Sequence, residues 1–196
     1  MHIRPIPNRQ REATVIEKKY GVGVAGVSWV SHEHIKAFEK NAHCEVVALQ
    51  SASLENAQAA RERHGLKHAE VYTDYEKMLA NPRVEIVTIC STNERHARQG
   101  ILGAQAGKHL LVEKPAALNL EDLHALQNAI NKAGVKSLVG FVLHWNPYFE
   151  SIRAFIEGGA MGRPFYGEVD YFSGNWEKWY AGLPWVRTVE RGGSIC

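Results

Sequence analysis

Three places in the chain set reactive or ligand-holding groups beside residues able to fix them. Glu113-Lys114-Pro115 follows a short apolar run at 109–112. Pro115 sets its own φ and restricts Lys114, so an ammonium projects from a rigid strand end into whatever crevice lies there. A surface Glu-Lys pair is ordinarily a solvated face, but this location makes Lys114 a candidate for chemistry. Ser91-Thr92-Asn93, with His96 three residues on, follow a second apolar run; they are good N-cap types and can simply start a helix. The third place is the turn at Gly26. Gly21, Gly23 and Gly26 satisfy G-x-G-x-x-G literally, yet they lie inside a strand instead of after it. Counted from Gly26, the second glycine position holds Ser28 and the third Ser31. Ser28 adds a Cβ where backbone would approach an anion, although its hydroxyl can donate there, and Ser31 is small enough for close packing of helix on strand. By pattern alone this is a weak fingerprint, and an ordinary turn that binds nothing is the alternative.

The elements that position these groups follow from periodicity. Val22, Val24 and Ala25 make a short apolar strand, and Ile35, Ala37 and Phe38 recur at helical spacing after it. A helix that starts after the Gly26 turn aims unpaired N–H groups and its positive dipole end at the crest of a sheet, where a pyrophosphate would be held. Strands are expected at 44–49, 71–73, 84–90, 109–112 and 136–143. Helices are expected at 54–64, closed by Gly65; at 75–79, capped by Asp74; at 94–106, stopped by Gly107; and at 120–133, stopped by Gly134. Strands alternating with helices mean an α/β fold, a Rossmann-type parallel sheet with helices on both faces. The reading divides the chain into a flexible tail at 1–19, a dinucleotide-binding domain at 20–143 and, at 144–196, the start of a second α+β domain for substrate and dimerisation, with one strand near 164–172. That second domain reads as incomplete.

In such sheets ligands sit outside the carboxyl ends of the strands. After the second strand the position that usually holds an acidic residue for the adenosine 2′-hydroxyl is Ser51. A carboxylate there would repel a 2′-phosphate and Ser51 does not, so NADP is permitted beside NAD. No Lys or Arg follows at once, and Arg61 and Arg63 lie further along the helix; the reading leans slightly to NADP.

Composition narrows the partners. Lys plus Arg total 23 against 21 Asp plus Glu, and the net charge of +2 gives no electrostatic case for nucleic acid or an acidic membrane. No apolar run follows the basic N-terminal residues, as a secretion signal would require. Cys44, Cys90 and Cys196 are odd in number and without C-x-x-C spacing, which argues for reduced thiols in a reducing, cytoplasmic compartment. His32 and His34 alternate in a turn, a spacing a metal can use, but no Cys or acidic cluster joins them and no metal is expected. Phe165, Tyr166, Tyr171, Phe172, Trp176, Trp179, Tyr180 and Trp185 crowd one stretch; aromatic faces suit sugar rings, yet core or subunit interface is the more ordinary use.

Taken together, these motifs resemble the glucose-fructose oxidoreductase and inositol dehydrogenase family, also written Gfo/Idh/MocA. His34 stands eight positions after Gly26, as in the family's first turn. Asn93 and His96 match its Thr-Pro-Asn-x-x-His, with Thr92 replacing the proline. Ala106-Gly107-Lys108-His109 and Glu113-Lys114-Pro115 match its signature closely, and Gly140-Phe141, His144 and Pro147 match the segment leaving the nucleotide domain.

The resemblance implies an NAD(P)-dependent oxidoreductase acting on a hydroxyl or carbonyl carbon of a sugar, polyol or similar small molecule, and a homo-oligomer when full length. It implies that Lys114 holds the reacting oxygen, that His144 borders the substrate, and that Gly26, Ser28, Trp29, Val30, Ser51, Ser91, Thr92, Asn93, His96, Glu113 and Lys114 meet the cofactor. It also implies an Asp and a His as base; Arg191 to Cys196 look like the glycine-rich lead-in to them, and neither appears within the sequence. Two other readings stay open: a non-catalytic dinucleotide-binding regulator or inactive fragment, and an NAD-dependent glycosidase of the same family.

Overall fold

A computed structural model describes residues 18–170, 172, 185 and 188–192. The expectations for the tail at 1–17 and for Tyr171, Trp176, Trp179, Tyr180 and Cys196 lie outside the described residues.

The strands are β1 (Tyr20–Ala25), β2 (Cys44–Gln50), β3 (Glu70–Tyr72), β4 (Ile86–Ile89), β5 (His109–Val112) and β6 (Ser137–Val139). They form one sheet in the order β3-β2-β1-β4-β5-β6, with every pair parallel. Parallel neighbours need crossovers, and helices supply them: α1 (Trp29–Lys40), α2 (Leu54–Arg63), α3 (Tyr75–Leu79), α4 (His96–Gln105) and α5 (Leu120–Ala133), followed by α6 (Pro147–Glu157) and the short α7 (Val189–Gly192). Two apolar clusters flank the sheet. Val22, Val24, Val46 and Leu49 pack with Ile35 of α1 and Ala60 of α2. Val47, Val87, Ile89 and Leu110 pack with Met78 of α3, Ala104 of α4 and Leu126 of α5. Burial on both faces is why β1 and β4 read as nearly continuous apolar runs.

The sequence places most of these elements correctly and misplaces some ends. The 84–90 run pairs only over Ile86–Ile89, while Val84 and Cys90 are buried on either side. The strand expected at 136–143 stops at Val139; the chain then takes a 3-10 turn (Val142–Trp145) because Asn146 and Pro147 start α6. No strand forms at 164–170, where no ladder of the sheet reaches and a lone strand leaves its backbone unpaired. Phe165, Tyr166 and Phe172 are exposed there and do not form a core. Ala37 is also exposed; the buried side of α1 runs through Ser31 and Ile35. His32 and His34 stand on α1 itself and not in a turn. No helix among the described residues is long and apolar enough to cross a membrane.

Candidate functional site

From β1 the chain moves outward to β2 and β3, then returns past β1 to β4, so the crest between β1 and β4 is where the connections diverge and leave a crevice. Gly26 closes β1 with φ of 85°, and a Cβ built on it would stand 2.5 Å from both Ser91 Cα and Ser91 N. The exits of β1 and β4 thus pass backbone against backbone, with Cys90 N donating to Ala25 O at 2.7 Å.

The helix that begins above this contact shares with α4, and not with α2, α3, α5 or α6, a start that its N-cap side chain does not cap and that carries no acid in its first turn. Side chains of Ser53, Asp74, Asn119 and Asn146 cap α2, α3, α5 and α6, and each of those helices carries an acidic residue in its first turn. At α1 the N-cap residue Ser28 makes no capping bond, and the first turn has no acidic residue. The Ser28 hydroxyl donates instead to Cys90 O at 2.9 Å, which ties the turn to β4 and removes it as a donor to an anion. Ser31 is fully buried and donates to Ser28 O at 2.6 Å, as its small size allows. A long helix whose start is neither capped by its own N-cap side chain nor made acidic fits a diphosphate.

Lys114 is exposed just past β5, and its ammonium makes no hydrogen bond or ion pair among the described residues. The Lys114-Pro115 peptide is cis. Glu113 turns the other way: its carboxylate is buried, with Oε1 2.9 Å from His34 Nε2 and Oε2 accepting from Lys114 N at 3.1 Å. The second ring nitrogen of His34 lies 2.8 Å from Thr88 Oγ1. Burial disfavours the His34 cation, but hydrogen bonds and charge from Cys90 and Glu113 outweigh it and push the imidazole up to about 10. Burial likewise opposes the Glu113 carboxylate, and the hydrogen bond and charge of His34 still hold it below the usual carboxylate range.

The remaining residues fall into groups. His96, 1 % exposed, has Nδ1 2.7 Å from Pro115 O and Nε2 3.0 Å from Ser91 O, so its ring joins the turns after β4 and β5 and offers nothing to the crevice. Ser91 donates to Gln99 Oε1 at 2.6 Å, and Thr92 donates to Glu94 Oε1 at 2.8 Å. Asn93 Nδ2 donates to Gly192 O at 3.0 Å, while Arg191 Nε lies 3.2 Å from Glu94 Oε1; α7 is therefore seated on this turn. Trp29 is exposed at the start of α1 and Val30 half-buried beside it. Ser51 is buried at the end of β2, its hydroxyl accepting from Ser53 N at 3.4 Å. The cations considered for a 2′-phosphate are placed elsewhere: Arg61 and Arg63 occupy the last turn of α2, and Arg63 reaches His32 Nε2 at 2.7 Å. His144 is exposed in the 3-10 turn that follows β6, with Arg153 3.3 Å from its Nδ1 and Trp145 edge-on to its ring. Among the described residues no three His, Cys, Asp or Glu are grouped to hold a metal.

Thr88 and Gln99 escaped the sequence reading. Thr88 is the one uncharged polar residue inside the apolar run before Cys90, and Gln99 sits one helical turn past His96 on the buried side of α4; both were visible as polar residues in apolar settings.

The model of the oxidoreductase family with an NAD-binding Rossmann fold matches residues 20–141. The chain is 30% identical over 178 residues to D-apiose dehydrogenase of Paraburkholderia graminis, covering 91% of this chain and 46% of that protein. It is 30% identical to inositol 2-dehydrogenase/D-chiro-inositol 3-dehydrogenase of Lactiplantibacillus plantarum, covering 73% and 41%. Its fold matches the WlbA dehydrogenase of Bordetella pertussis, solved in complex with NADH and UDP-GlcNAcA, with a TM-score of 0.69 and 29% identity over 74% of this chain and 44% of that one. The chain thus spans less than half the length of the proteins it matches.

Proposed function

The chain belongs to the oxidoreductase family with an NAD-binding Rossmann fold, and on that premise we propose that it is the nucleotide-binding part of a dehydrogenase. The substrate class is a sugar, polyol or similar small hydroxyl or carbonyl compound. The observation that carries this reading is the exposed Lys114 ammonium at the end of β5, on the same crest as the α1 start that its own N-cap residue leaves uncapped.

In this reading the backbone at Gly26, with Trp29 and Val30 of the first turn of α1, holds the diphosphate, and Ser51 borders the adenosine ribose. The dinucleotide, when bound, supplies the hydride acceptor or donor. Lys114 binds the reacting oxygen and stabilises the negative charge that gathers there as hydride leaves the carbon. Neither His34 nor His96 serves as proton acceptor, because the ring nitrogens of both are engaged inside the fold. Ser51 in place of a carboxylate admits NADP as well as NAD, and the absence of a repelling charge favours NADP slightly. Relatives that act on apiose and inositol support the substrate class. Free thiols at Cys44 and Cys90 support a reducing, cytoplasmic setting, and assembly into a homo-oligomer follows from the resemblance. The test is product analysis: net formation of NADH or NADPH with a panel of sugars and polyols supports the reading, and no cofactor reduction by a protein that binds the dinucleotide contradicts it.

A further inference from the structure

The ion pair between His34 and Glu113 joins parts of the fold distant in sequence. His34 belongs to α1, the helix whose start lies at the crest; Glu113 ends β5 and precedes Lys114; Thr88 lies on β4 between them. The side chains of His34 and Glu113 are only 14% and 8% exposed. A pair so deeply placed gives up hydration that its attraction only partly returns, so it is a poor device for stability alone. Its geometry shows a second use. The two oxygens of the one carboxylate have different partners, His34 Nε2 at 2.9 Å and the backbone N–H of Lys114 at 3.1 Å. Rotating the carboxylate to suit one partner loses the other. Gly140 adds a third wall, since a Cβ there would stand 2.9 Å from Glu113 Oε1.

We propose that His34 is a positioning residue: pinned by Thr88, it holds the Glu113 carboxylate against the backbone N–H of Lys114 and so sets the direction in which the Lys114 ammonium leaves the sheet. The value of that direction to a reaction rests on Lys114 acting as proposed above, whereas the clamp itself does not. It also links α1 to the lysine through two side chains, so a ligand that fixes the pose of α1 fixes Lys114 with it. Without His34, a buried carboxylate oxygen is left unpaired, and the carboxylate turns toward water or takes up a proton. Turning breaks the bond to the Lys114 N–H, and protonation leaves only a weaker, neutral acceptor there.

Residue-resolved amide exchange on the 15N-labelled chain tests this without reference to turnover. In His34→Leu, which keeps apolar bulk and removes both ring bonds, the Lys114 amide should exchange about tenfold faster or more, while Glu113 N, bonded to Ile89 O, and Gly140 N, bonded to Val112 O, keep their protection. Glu113→Leu removes both acceptor oxygens, so it should give the same local result and serves if His34→Leu does not fold. His34→Gln, which still donates to Glu113, should restore most of the protection. Unchanged exchange at Lys114 in the folded variants overturns the proposal. So does acceleration shared equally by the β4 and β5 amides, which is the mark of a merely structural histidine. A turnover assay of Lys114→Ala fails or succeeds separately, so loss of the catalytic reading is not mistaken for loss of the clamp.

Discussion

The backbone at Gly26 passes so close to Ser91 that a Cβ on Gly26 would stand 2.5 Å from the Ser91 nitrogen. The φ of 85° already disfavours any other residue there, and the close contact adds displacement of the β4 exit. Gly65, at φ of 66°, has open space around its missing Cβ.

Gly26→Ala should therefore cost about 3 kcal/mol in urea unfolding, and Gly65→Ala about 1 kcal/mol. Equal costs at the two positions would show that the exits of β1 and β4 are not in tight contact.

The His34–Glu113 pair gives stability a particular pH dependence. A histidine raised from 6.5 to about 10 on folding contributes fully below pH 6.5 and loses that contribution as pH rises through about 10. Glu113, lowered from 4.5, contributes above that pH and loses its contribution as pH falls below it. The Tm of the natural chain should fall between pH 7 and pH 10, and the fall should be smaller in His34→Leu. Parallel curves would place the charge of the pair elsewhere.

Ser51→Asp puts a carboxylate at the end of β2, beside the first turn of α2. It should weaken NADPH binding about tenfold or more by repelling the 2′-phosphate, and leave NADH binding equal or tighter. An unchanged ratio of the two affinities would mean that Ser51 does not face the ribose.

Lys114→Ala, made in a protein that turns over a substrate, should lower kcat about a hundredfold or more with little change in dinucleotide affinity, because the ammonium acts on an oxygen that carries charge only as hydride moves. Undiminished kcat would remove Lys114 from its role.

The repeating units of the fold were legible because each signal was local: Asp74 caps α3, and Gly65, Gly107 and Gly134 follow helices with positive φ. The place of Lys114 at a strand end was legible for the same reason. The partners of His34 and His96 were not, since they lie 54 and 79 residues from His34 and 5 and 19 from His96, and no periodicity encodes such meetings. Glu113 and His96, read as cofactor contacts, point inward because a buried carboxylate and a buried imidazole must each find partners. Arg61 and Arg63 stand where the sequence put them, further along the helix, since a helix carries residues at its last turn away from its start at about 1.5 Å per residue.

The most direct measurement is titration of the chain with NADH and NADPH by tryptophan fluorescence, with Trp29→Phe as control, because Trp29 stands exposed at the start of α1. The account predicts saturable quenching by both dinucleotides, tighter for NADPH, and loss of most of the signal in Trp29→Phe while calorimetry still records binding. A folded chain that binds neither dinucleotide would contradict the account at its centre.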